Sequence, residues 1–176
     1  MNIASRYAKC LFDIASEKNQ QDVIAEDAAN FLKAVAESAE LTDFLESPLM
    51  SKSAKKETMR RLFKGFNETT LSVFDMMADK SRENFLASMA QSYLTIYNKA
   101  NGITLAEVTS AIAFDKDTLT EIEQFVKKHA GSKKVIITQK VDSGLIGGLT
   151  ILFDGRMYDS SVTGQINKMK KELNLA

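Results

Sequence analysis

Residues 98–110 read Asn-Lys-Ala-Asn-Gly-Ile-Thr-Leu-Ala-Glu-Val-Thr-Ser, and within them the chain changes its period. Before Asn101 apolar residues recur at helical spacing; after Gly102 they are β-branched and partly alternating, as in a half-buried strand. Glycine at the junction suits a helix C-cap, since it takes the left-handed conformation without a Cβ penalty. The expected domains are therefore 1–102 and 103–176, in an α+β architecture. A six-helix N-terminal bundle precedes a small α/β domain with a short sheet, a hairpin and two helices.

Working back from the switch, the pattern is helix after helix. A sixth helix follows Ser81 and carries Phe85, Met89, Tyr93, Ile96 and Tyr97 on one stripe. Asn67 is placed to cap a fifth, which buries Leu71, Phe74 and Ala78, and Ser51 or Ser53 caps a fourth. A short helical piece around Leu41 to Leu45 is stopped by Ser47-Pro48, because proline disfavours helix in the residue before it. The second helix carries Ile24, Ala28, Phe31, Leu32 and Val35; the first starts at Ile3.

Working forward, Ile103 to Ala113, Val135 to Thr138 and Leu149 to Phe153 read as strands. Asp154-Gly155 is a hairpin turn, both central positions of a type I′ turn requiring positive φ. One helix runs from Asp117 to Gly131 with Leu119, Ile122 and Val126 inward. Another runs from Ser160 or Ser161 to the end with Val162, Ile166, Met169 and Leu173 inward.

Composition narrows the function. The 176 residues hold 23 basic and 23 acidic side chains, and a net charge of zero argues against general affinity for nucleic acid or anionic lipid. Cys10 is the only cysteine, so no intramolecular disulfide is possible and a reducing compartment fits. The N-terminus has no signal-peptide pattern, and no apolar run approaches the ~20 residues of a membrane span. Any membrane association is expected to go through a partner or a surface helix.

No residue set nominates a reaction, a cofactor or a metal. His129, the only histidine, sits among Lys127, Lys128, Lys133 and Lys134 near a helix C-terminus, where a cation complements the helix dipole. No His/Cys spacing suggests zinc. Gly144, Gly147 and Gly148 lack the Lys-Ser/Thr ending and following helix of a phosphate loop, and are better read as permitting a bulge or close backbone approach. The basic helix 52–64 holds Lys52, Lys55, Lys56, Arg60, Arg61 and Lys64, with Met59, Leu62 and Phe63 on its apolar side. It offers an alternative function, a nucleic-acid or anionic-membrane binding module. Against that, residues 1–46 carry four basic and nine acidic residues, a counterpart within the chain.

The first helix is the most informative. At about 100° per residue its apolar positions span an arc of roughly 200°, twice what packing on one face needs. Either it is central to the bundle or part of its arc serves a partner. The fifth helix shows a milder excess at Val73, Met76 and Met77. Two adjacent helices with surplus apolar surface make a groove for an amphipathic helix, and methionine suits an adaptable surface.

Four segments then occur in order: Arg6-Tyr7-Ala8-Lys9-Cys10-Leu11-Phe12, Ser47-Pro48, Val141-Asp142-Ser143-Gly144-Leu145-Ile146-Gly147-Gly148, and Asp159-Ser160-Ser161-Val162-Thr163-Gly164-Gln165-Ile166. Together, and over essentially the whole chain, they resemble the delta subunit family of bacterial F-type ATP synthase, counterpart of the mitochondrial oligomycin-sensitivity-conferring protein. Cys10 stands where the family usually has alanine, Ser160 where glycine is common, and Asp79-Lys80-Ser81-Arg82 where Glu-Asn-Gly-Arg is frequent. The resemblance implies a non-catalytic stator connector on the cytoplasmic face of the bacterial inner membrane. Its bundle would grip the N-terminal helix of an alpha subunit, its C-terminal domain would meet the peripheral-stalk b subunits, and other F1 subunits would surround it. The implied groove residues are Tyr7, Cys10, Leu11 and Met76.

Overall fold

In the computed structural model, which describes residues 3–47 and 50–172, the chain divides into two compact units, Met1–Tyr97 and Asn98–Ala176. The architecture is mixed α+β. The first unit holds α1 (Ile3–Glu17), α2 (Gln21–Glu37), α3 (Ala39–Glu46), α4 (Lys52–Leu62), α5 (Glu68–Asp79), a 3₁₀ turn (Glu83–Phe85) and most of α6 (Leu86–Ala100). The second holds β1 (Ile103–Ser110), α7 (Lys116–Ala130), β2 (Lys134–Val141), β3 (Leu149–Phe153), β4 (Arg156–Asp159) and α8 (Val162–Glu172).

Local chemistry sets these limits. Ser38, Ser51 and Asn67 accept hydrogen bonds from Leu41, Ala54 and Thr69 N–H at the starts of α3, α4 and α5, satisfying donors that a helix N-terminus leaves open. Asp115 does the same for α7 through Thr118 N–H, and Gly131, at φ +65°, closes its other end. After α5 the chain turns at Ser81 (φ +53°): Ser81 N–H bonds Ala78 C=O and Arg82 N–H bonds Met77 C=O. That is the pairing of a Schellman turn, with serine in the left-handed position glycine normally takes. Pro48 and Leu173 lie outside the described residues.

The bundle core combines an aromatic cluster with buried methionines. Phe31, Phe63, Phe66 and Phe74 form a cluster with ring centroids 4.8 to 6.4 Å apart, in the offset and edge arrangements that ring quadrupoles favour. Met59, Met77 and Met89 are all enclosed. Tyr93 is fully buried and donates to Gln21 C=O at 3.1 Å; burial pushes its phenol pKa well above the ordinary range. The Asp27 carboxylate is buried at the α2/α5 contact. Asp27 Oδ2 accepts from Asn67 N–H at 2.9 Å and from the Thr70 hydroxyl at 2.7 Å, placing negative charge at the positive end of α5.

In the second unit the sheet order is β2-β1-β3-β4, with β1 and β2 parallel and the other pairs antiparallel. Helix α7 is the crossover that a parallel pair requires. It buries Ile122 and Val126 against Ala106, Val108, Val135, Ile151 and Phe153. The β3–β4 hairpin turns at Asp154 and Gly155, both at positive φ, as the sequence predicts. Gly148 (φ +78°) lies so close to the Ser160 carbonyl and Ser161 Cα that a Cβ there would sit 2.4 and 2.8 Å from them. The close-approach reading of this glycine segment is the one the backbone follows.

Two expectations about burial are corrected, one for α8 and one for Val73 and Met77 of α5. On α8, Val162, Ile166 and Met169 are exposed rather than inward. The helix is tied down at its first turn by Val162 N–H to Gly147 C=O and Ser161 N–H to Asp159 Oδ1, and its apolar stripe faces solvent. The sheet likewise exposes Leu105, Ile136, Leu152 and Met157, which the strand register places on the face opposite α7. In the bundle, Val73 and Met77 are core residues, and Leu62 is exposed.

Candidate functional site

The inner face of α1 is narrow. Its buried residues are Ala4, Ala8, Leu11 and Ala15, three of them alanines. Small side chains let neighbouring helices close on α1, and the larger apolar residues are left on its flank. Ile3, Tyr7, Cys10 and Ile14, at i, i+4, i+7 and i+11, line up there, with Tyr7 and Ile14 half-buried and Cys10 exposed. Leu11, expected among the groove residues, is 2% exposed and belongs to the core instead. It sits one position past Cys10, about 100° further round the helix.

Facing that flank is α5, whose Met76 remains 40% exposed while Val73, Phe74 and Met77 turn inward. Between the helices one depression of about 490 Å³ is lined by Ile3, Arg6, Tyr7, Cys10, Met76 and Arg82. A second, of about 270 Å³, is lined by Ile14, Lys18, Ser72, Val73 and Met76, among others. Met76 borders both, so they read as one groove running beside α1 from Ile3 to Lys18. At 1.5 Å per residue that is about 22 Å, the length of a four-turn helix. The structure thus brings together Tyr7, Cys10 and Met76 of the sequence-read set and excludes Leu11.

Sequence reasoning missed Arg82. The turn after α5 directs it back to α1, where its Nη1 donates to Tyr7 Oη at 3.0 Å and its guanidinium carbon lies 5.9 Å from the Tyr7 ring centre. Only the helix-ending pattern before Arg82 hints at this, and which partner the side chain reaches is tertiary information.

The basic helix 52–64, now α4, finds its counter-charges close by, but not in residues 1–46 as the charge census suggests. Arg60 pairs with Asp75 at 2.7 Å and Glu68 at 3.0 Å, and its pKa is raised first by the hydrogen bond to Asp75. Lys56 pairs with Asp79, and Lys52 donates to the Asp79 carbonyl. Lys55 is buried, in contact with Glu83 and with the Leu45 carbonyl. The acids come from α5 and the 3₁₀ turn because α4 and α5 lie side by side. Most of the basic face is thereby engaged within the bundle. His129 is exposed, stacks on Phe125 at 4.1 Å between centroids, and its Nδ1 lies 2.8 Å from the Phe125 carbonyl in the last turn of α7.

Among the described residues no three His, Cys, Asp or Glu side chains converge as metal ligands, and no helix is long and apolar enough to cross a membrane.

The fold is that of an ATP synthase component. A chain of the Toxoplasma gondii mitochondrial ATP synthase hexamer superposes with a TM-score of 0.84, covering 100% of this chain and 99% of that one at 19% identity. Sequence carries the assignment further. The family model for the ATP synthase delta (OSCP) subunit matches residues 3–173, and the chain belongs to that family. Relatives described as ATP synthase subunit delta include those of Flavobacterium psychrophilum (30% identical, covering 97% of this chain and 96% of the relative), Christiangramia forsetii (31%; 97% and 92%) and Synechococcus sp. (32%; 95% and 93%).

Proposed function

We propose that this delta-family subunit is a non-catalytic stator connector of an F-type ATP synthase, and that the α1/α5 groove is where it grips the N-terminal helix of an alpha subunit. The observation that carries the reading is the flank of α1: bulky apolar residues beside an exposed Met76, along a trough the length of a helix. Helix-in-groove recognition needs that shape, with anchors at i, i+3/i+4 and i+7. The second unit takes the peripheral-stalk b subunits. Its exposed Leu105, Ile136, Leu152 and Met157, and the open stripe of α8, support this as surface that burial against a partner would stabilise. A connector of this kind holds catalytic head to stalk so that rotation couples to ATP synthesis. It resides at the cytoplasmic face of the bacterial inner membrane and meets the membrane only through the complex.

The test is titration of the intact protein with a peptide of the first ~20 residues of the cognate alpha subunit, long enough to fill the groove. Saturable binding is expected, persisting in high salt because apolar burial drives it. Tyr7→Asp and Met76→Asp should each weaken it by at least tenfold, since a carboxylate would be buried unpaired, while helix content stays at the wild-type level. Wild-type affinity in both variants would remove the groove from the proposal. Binding that collapses with salt would favour the basic helix instead.

A further inference from the structure

The proposed groove contains something that an apolar helix face does not account for. Arg82 lies half-buried in its wall, with a phenol oxygen, Tyr7 Oη, as its one hydrogen-bond acceptor among the described residues. A guanidinium offers five N–H donors in a planar fork suited to a carboxylate. Among the described residues none supplies one. The acids of neighbouring α5 are taken, Asp75 and Glu68 by Arg60 and Asp79 by Lys56, and Glu83, next in the chain, is buried against Lys55. Arg6, exposed and without an ion-pair partner among the described residues, borders the same part of the groove and adds a second positive charge.

An amphipathic helix seated here removes water from Arg82. If its facing residue is apolar, the guanidinium is left desolvated and unpaired, which disfavours the complex. If that residue is Asp or Glu, the fork is filled by a charge-assisted, bidentate contact. The side chain is already held in place by the Tyr7 hydroxyl and by the turn at Ser81, so little ordering remains to be done on binding. We propose that the helix bound between α1 and α5 carries a carboxylate that pairs with Arg82, making Arg82 the residue by which the groove selects one amphipathic helix over others of similar hydrophobicity. This rests on the groove reading above and adds to it a chemical requirement on the partner.

The experiment is a double-mutant cycle on the intact protein. The probe is the same alpha-subunit peptide, synthesised also with each Asp or Glu changed in turn to Asn or Gln. Against wild-type protein, one acid-to-amide peptide should bind about tenfold more weakly, the worth of a charge-assisted hydrogen bond. Arg82→Met, which keeps an unbranched apolar stem and removes the guanidinium, should weaken the native peptide by a similar factor and lose nothing further with that amide peptide. Arg82→Lys should restore part of the affinity. The peptide series on wild-type protein stands even if Arg82→Met folds poorly. Equal binding of all amide peptides, or losses that multiply independently in the cycle, would overturn the carboxylate requirement. In that event a Met76→Asp variant that still loses binding would keep the groove. Failure of the native peptide to bind wild-type protein would overturn both.

Discussion

Replacing Asp27 by alanine is expected to be among the most damaging single changes in the bundle. The carboxylate is 6% exposed and accepts two hydrogen bonds, from Asn67 N–H and from a Thr70 hydroxyl that is itself 2% exposed. Hydrogen bonds to a charged group contribute about 1.5–3 kcal/mol each, and a buried hydroxyl left without a partner costs about 1–3 kcal/mol. Relief from holding a charge out of water offsets part of this, which leaves a net loss of about 3–5 kcal/mol. Asp27→Asn keeps an acceptor oxygen and gives up the charge facing the α5 dipole, so it should cost only about 1–2 kcal/mol. Urea unfolding followed by far-UV circular dichroism measures both, and Thr70→Val in the Asp27→Ala background should be less harmful than the sum of the two changes. Because Asp27 fixes the start of α5, one wall of the groove, alpha-peptide affinity should fall alongside stability. An Asp27→Ala protein as stable as Asp27→Asn, or within about 0.5 kcal/mol of wild type, would refute the reasoning.

Two further outcomes concern the second unit. Gly148→Ala combines a left-handed backbone with a methyl group driven against the Ser160 carbonyl, and should cost about 3 kcal/mol or more; amide hydrogen exchange in β3 and at the start of α8 reads the loss, and wild-type protection would contradict it. Asp115 has its pKa lowered from 3.8, chiefly by hydrogen bonding to the Thr118 side chain and then by Thr118 N–H. A folded value below the unfolded one means that the cap contributes fully above 3.8 and is lost as pH falls through the lowered value. A carboxyl NMR titration should place its midpoint below that of an unstructured aspartate, and a midpoint at or above it would count against the cap.

The sequence speaks clearly where one residue's backbone chemistry decides the outcome. Gly102 at the change of period, Asn67 at the head of α5, and Asp154-Gly155 in the hairpin are legible because few residue types fit those conformations. It speaks less clearly about what covers an apolar face. The stripe of α8 is plain in the sequence, yet Val162, Ile166 and Met169 stay exposed, because periodicity tells which side of a helix is apolar and not whether this chain or another meets it. Of the groove residues read from the sequence, Tyr7, Cys10 and Met76 border the depressions beside α1; Leu11, one position past Cys10, is a core residue, and Val73, one turn before Met76, is buried while still bordering the second depression. Charge pairing was the least accessible. A count of acids in residues 1–46 points to the wrong partners for α4, since side-by-side packing with α5 decides which carboxylates are near.

The alanine-lined inner side of α1 bears on how the protein would carry a load. Ala4, Ala8 and Ala15 bring the main chain of α1 against its neighbours with almost no side-chain rotamers between them. Force arriving at Tyr7 or Ile14 from a gripped helix would pass straight into the backbones of the bundle, with few hinged links to stretch or slip. By the same geometry, enlarging Ala8 would lever α1 outward and reshape the grip from behind, altering affinity without changing any atom the partner touches.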